Sequence, residues 1–148
     1  MNLKNKKMNT ILYVIVFMLY INIGFSQTSS IQVKIKGITN INGKIEIGLF
    51  NKKEGFPNYK NYFKGASVLP AKNEVQYAFK NISEGTYAIA VFHDEDENKE
   101  LNKNIFGAPS EKYGFSLNQY GTMGPPNFNK VAFTITKNKD TTLIINLK

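Results

Sequence analysis

The chain has 148 residues, 42% of them hydrophobic, which suits one folded domain with a single main core. Its nineteen basic residues are all lysine, giving a net charge of +8. Nucleic-acid readers favour arginine for bidentate contacts to phosphate and guanine, so no nucleic-acid role is expected. There is no cysteine, which excludes a disulfide framework, thiol chemistry and a lipid anchor attached through cysteine.

The N-terminus carries Lys4, Lys6 and Lys7, followed by the apolar run 11–21, ILYVIVFMLYI. Gly24 and Ser26 then offer small residues before Gln27. This is the layout of an export signal, and the run is shorter than the roughly 20 apolar residues that span a bilayer. The expected organisation is a signal peptide over 1–26 and a β-sandwich domain over 27–148, periplasmic or extracellular, with no membrane span in the mature chain. Three of the lysines precede residue 27, so 27–148 holds sixteen lysines against eleven acids, a net +5.

From residue 31 the chain alternates apolar and polar residues with the period of a strand. Ile31, Val33 and Ile35 share one face; Ile45, Ile47 and Leu49 share another after an Asn-Gly turn at 42–43. Val75, Tyr77 and Phe79 follow the same rule. Residues 85–94 are apolar on both faces, Tyr87, Ile89 and Val91 against Ala88, Ala90 and Phe92, as in a central strand covered on both sides. Two further strands close the chain, around Val131, Phe133 and Ile135 and around Leu143, Ile145 and Leu147, and a turn at 137–140 is expected to join them as a hairpin. A seventh is expected near 66–70. The fold class is therefore all-β: a single antiparallel β-sandwich, immunoglobulin-like or transthyretin-like, of about seven strands with one long ordered loop.

Two segments break the rhythm. Residues 51–67 carry Phe56, Tyr59, Tyr62 and Phe63, with a short helix expected after Pro57. Residues 102–130 interleave glycine and proline with Phe106, Tyr113, Phe115, Tyr120 and Phe128. So many rings are costly to leave in water, so an ordered loop is expected, its aromatics either capping the core or forming a ligand-contact surface.

Between these lies FHDEDENKEL, residues 92–101, with the single histidine and five of the eleven acids. Asp94, Asp96, Asn98, Glu100 and Asn102 place a side-chain oxygen at every second position, which suits Ca²⁺ and its six to eight oxygen ligands. The helix-loop-helix calcium motif is not matched, since Lys99 stands where it needs glycine and Ile105 where it needs glutamate. Zinc is not expected from one histidine and no cysteine. His93 is in phase with Tyr87, Ile89 and Val91 and should face the core edge. No nucleophile elbow surrounds Ser116, so a Ser-His-Asp hydrolase is not supported.

The runs FKNISEGTYAIAVFHDEDENKEL, GAPSEKYGFS and GPPNFNKVAF, in that order, resemble the secreted bacterial family known as domain of unknown function 2141. The resemblance covers nearly all of 27–148 and implies an exported, mostly β domain without an assigned activity or catalytic residues. The first run is also similar, in fold only, to transthyretin-like and carboxypeptidase-regulatory-like sandwiches. The family's acidic stretch reads D-E-N-G-N-G-K-L-D. Here Asp96 replaces an asparagine, Glu97 and Lys99 replace the glycines, and Asn102 replaces the last aspartate.

Together these point to a non-enzymatic binding or interaction module of the cell envelope, with Ca²⁺ as its only expected cofactor and a glycan or envelope protein as partner. His93, Glu111, Tyr113, Ser116, Tyr120 and Phe128 are the expected ligand contacts. Two alternatives stand beside it: a hydrolase using Glu111 with His93 or loop carboxylates, and a purely structural module.

Overall fold

A computed structural model describes residues 28–148. The export-signal reading of 1–26 lies outside the described residues. Among the described residues the strands are β1 (Ser29–Ile38), β2 (Lys44–Phe50), β3 (Lys64–Val68), β4 (Asn73–Ile82), β5 (Gly85–Asp94), β6 (Tyr113–Phe115), β7 (Phe133–Ile135) and β8 (Thr141–Asn146). One short helix, α1 (Phe128–Val131), is capped by the Asn127 side chain, which accepts from Lys130 N. Among the described residues no helix is long and apolar enough to cross a membrane.

The strands form two sheets, ordered β4-β1-β8 and β3-β2-β5-β6, with β7 also paired to β5. Facing side chains from both make the main core: Ile31, Val33 and Ile35 of β1, Ile45, Ile47 and Leu49 of β2, Ile89 and Val91 of β5, and Ile145 of β8. Each large side chain removed from water here contributes roughly 1.5–3 kcal/mol. Every second residue points this way because the strand period is two, which is how the sequence marks the face.

The second sheet is covered on its outer face as well. Phe50, Ala88, Phe115, Phe128 and Val131 form a smaller cluster there, with Phe56, Tyr113 and Tyr120 packed against it. The Phe56 ring meets Phe50, Phe115 and Phe128 at centroid distances of 5.1, 6.1 and 5.8 Å. Rings of both aromatic segments thus fold down on one surface, Phe115 and Phe128 buried and Phe56, Tyr59, Tyr113 and Tyr120 half-buried, while Tyr62, Phe63 and Phe106 stay exposed. Ser116 is fully buried; its Oγ donates to Val131 O at 2.5 Å and accepts from Ile89 N at 3.0 Å.

Three features depart from the sequence expectation. The segments at 133–135 and 141–146 do not form a hairpin: β7 pairs with β5, while β8 crosses to the other sheet and pairs with β1 in parallel. Alternation carries no information on strand direction, so this pairing was not readable. β6 is an additional strand of three residues, too short to show a period. After Pro57 the chain makes only a 3-10 turn over Tyr59–Asn61. Past β8, Leu147 N donates to Lys36 O and Lys148 N to Tyr113 O, at 2.8 and 3.0 Å, so this short stretch holds on to both sheets.

Candidate functional site

β2 and β5 run antiparallel, with Lys44 opposite Asp94 and Glu46 opposite Phe92. The alternation of β5 therefore sends His93 into the inter-sheet core and Asp94 to the outer face. Both are fully buried. His93 Nε2 donates to the Asn42 carbonyl at 2.7 Å; Nδ1 lies 3.9 Å from a Glu95 oxygen and makes no hydrogen bond to a described residue.

At the end of β5 the chain turns through residues 95–112 and returns as β6. Three carboxylates converge at this turn: Asp94, Asp96 and Glu111 offer oxygens that all lie within 4.8 Å of one another. Backbone amides fix two of them. Asp94 accepts from Asn98 N and Lys99 N at 3.0 and 2.9 Å. Glu111, also buried, accepts from Glu95 N and Asn102 N, both at 2.9 Å. Asp96 takes the side-chain amides of Asn98 and Asn102 at 3.0 and 2.8 Å. The Asn102 amide in particular holds the Asp96 carboxyl below the usual carboxylate range. Among the described residues no lysine lies within ion-pair distance of these three groups. The nearby lysines pair elsewhere, Lys44 with Glu97 at 2.7 Å and Lys60 with Glu100 at 3.0 Å.

The alternating oxygens expected from sequence are thus only partly gathered. Asp94 and Asp96 join the cluster directly. Asn98 and Asn102 stand against it through their amides, and Glu100 turns out to Lys60. Glu111 comes in from sixteen residues beyond Glu95, which no local spacing could announce. Glu97 and Lys99, the positions where the resembling pattern has glycine, hold positive φ of 59° and 62°. A side chain is strained there by roughly 1–2 kcal/mol relative to glycine. Lys99→Gly is therefore expected to raise stability by up to about 1 kcal/mol, less the extra freedom glycine gains in the unfolded chain, as read by urea denaturation.

The remaining expected contacts divide. Tyr113 sits opposite Phe92 in β6, half-buried, with Tyr120 at 6.0 Å and the Lys148 ammonium 4.1 Å from the Tyr120 ring. Tyr120 donates its hydroxyl to Asn146 O at 2.5 Å. Phe128 and Ser116 are buried in the outer cluster and Ser116 is saturated with main-chain partners. His93 is fully buried and opens to no solvent, so it does not line a solvent-open cleft with Glu111.

One buried polar group escaped the sequence reading altogether. Glu46, 2% exposed on the outer face of β2, accepts from Tyr59 OH at 2.5 Å and from Ser67 Oγ at 2.7 Å. Burial, then the Glu46 carboxylate, push the Tyr59 phenol well above its ordinary pKa, so it remains a donor. In the sequence Glu46 reads as an ordinary solvent-facing position of an alternating strand. Only the path of the 51–63 segment over it, with Tyr59 against Phe92 at 5.4 Å, makes it internal.

A two-sheet β protein with a carboxylate-lined turn at one end is the class these features define. The chain belongs to the bacterial family described as Uncharacterized protein conserved in bacteria (DUF2141), whose model matches residues 33–143. No curated protein and no solved structure matches the chain.

Proposed function

We propose that this chain is an exported, non-catalytic binding module of the cell envelope whose turn at residues 94–111 is set by a Ca²⁺ ion held by Asp94, Asp96 and Glu111. The observation that carries the reading is the convergence of three carboxylates, two of them buried, with no cationic side chain among the described residues in ion-pair contact with them. Like charges this close repel strongly in a partly dry site, and a divalent cation is the simplest way to reverse that term. Their amide partners do not use up the oxygens. A carboxylate has about four lone-pair sites, so the one N–H per oxygen on Asp94 and Glu111, and the three N–H groups on Asp96, leave capacity for an ion. Asn98 and Asn102 stand close enough to supply further neutral oxygens after a change of amide orientation. Ca²⁺ would then hold the turn against β6, beside the half-buried Tyr113 and Tyr120, whose rings suit a sugar face or an apolar peptide side chain.

Thermal unfolding of the protein in Ca²⁺ and in EDTA tests this. At a hundredfold excess over the dissociation constant the ion contributes about 2.7 kcal/mol, a rise of on the order of 10 °C for a domain this size. Asp94→Asn should abolish the rise. An identical melting temperature in EDTA and in millimolar Ca²⁺ would remove the calcium site from the reading.

A further inference from the structure

The loop between β1 and β2 contains Asn42-Gly43, the single Asn-Gly pair of the chain. An asparagine before glycine has a built-in route to self-modification. The glycine nitrogen can attack the asparagine Cγ, and no glycine side chain obstructs the approach. Three features of the structure favour that attack here. Asn42 is exposed, so water reaches it. Its main-chain N donates to Asn40 Oδ1 at 3.0 Å, while its side-chain amide makes no hydrogen bond among the described residues. The backbone is held and the side chain is free to turn onto Gly43 N. The third feature is His93. β2 and β5 pair with His93 opposite Ile45, two residues beyond Gly43, and the fully buried ring reaches back to the loop. Its Nε2 donates to the Asn42 carbonyl at 2.7 Å. That carbonyl belongs to the same peptide group as the attacking nitrogen.

We infer that Asn42 is a deamidation site activated by His93. When Gly43 N–H gives its proton to solvent, amide resonance carries the charge onto the Asn42 oxygen. The His93 N–H already points there, and a donor fixed in advance stabilises charge as it develops. The Gly43 N–Asn42 Cγ bond forms and the Cγ–Nδ2 bond breaks. The amide nitrogen leaves as ammonia, taking its extra proton from water. Water then adds to either carbonyl of the cyclic succinimide, giving aspartate or an isoaspartyl linkage at position 42. Either product adds a negative charge, and the isoaspartyl form adds a carbon to the main chain. Gly43 lies against the backbone of Asp94 and Glu95, so the change reaches the carboxylate turn.

Peptide mapping by mass spectrometry tests the inference. The folded protein and a synthetic peptide of residues 38–46 are aged in the same warm, mildly alkaline buffer. EDTA is present throughout, so the outcome is independent of the proposed calcium site. Asn42 should convert about tenfold faster in the folded protein than in the peptide. His93→Phe keeps a ring without the donor and should bring the rate down to that of the peptide, with circular dichroism confirming its fold. If that variant does not fold, the comparison of protein with peptide decides alone. The aged fraction, separated by ion exchange, should melt below fresh protein. A folded protein that converts no faster than the peptide, or a folded His93→Phe variant that converts as fast as the wild type, would overturn the role of His93. Conversion at another asparagine while Asn42 stays intact would overturn the site, and equal melting of aged and fresh protein would overturn its link to the turn.

Discussion

Glu111→Ala is expected to destabilise the domain by about 3 kcal/mol, even though Glu111 lies outside every long strand. The residue joins two points of the turn that begins at the end of β5. One carboxylate oxygen takes the amide of Glu95, the other the amide of Asn102, and the side chain is 8% exposed. Removing it leaves two amides without their partner in a region where water only partly replaces it, and each such loss costs roughly 1–3 kcal/mol. Glu111→Gln keeps one acceptor and should cost less. Chemical denaturation of the three proteins measures this directly. If Glu111→Ala unfolds within 0.5 kcal/mol of the wild type, a difference ordinary for surface substitutions, the clamp contributes nothing.

Gly43→Ala should have an effect of similar size by a different route. Gly43 has φ +62°, and a Cβ placed on it would lie 1.9 Å from the Asp94 carbonyl oxygen and 2.7 Å from Glu95 Cα. Those are backbone atoms, so the β2 entry and the β5 exit would have to separate. The left-handed conformation and the overpacking together cost about 3 kcal/mol or more. Gly107 is the control: its φ is +78° but no atom lies within 4 Å of its Cβ position. Gly107→Ala should therefore cost only about 1–2 kcal/mol. Equal melting temperatures for the two variants would contradict the steric argument. Because Gly43 abuts Asp94, Gly43→Ala should also disturb the carboxylate cluster, whereas Gly107→Ala should alter only its own turn.

What the sequence made legible follows from the range over which each signal acts. Ile31, Val33, Ile35 and Ile45, Ile47, Leu49 show their faces because strand alternation is local and one face is buried. Residues 85–94 announced a central strand through apolar residues on both sides, and β5 is the strand with three partners. His93 was correctly placed inward by phase alone. Pairing direction, by contrast, depends on contacts more than a hundred residues apart, such as Ile31 with Thr141. The buried state of Glu46 depends on where Tyr59 and Ser67 come to rest, and the membership of Glu111 in the carboxylate cluster depends on β6 returning beside β5. The spacing Asp94, Asp96, Asn98, Glu100, Asn102 looked like a ligand series because every second residue repeats. The turn is not an extended strand, and positive φ at Glu97 and Lys99 sends alternate residues elsewhere.

The parallel pairing of β1 with β8 sets the order of events for a growing chain. β1 stands between β4 and β8, so the three-stranded layer lacks its far neighbour until residue 146 has been synthesised. Contacts of such long sequence separation form late and slow folding. A nascent polypeptide of this kind keeps one of its two layers unfinished, and the buried face of the other uncovered, until β8 has been made.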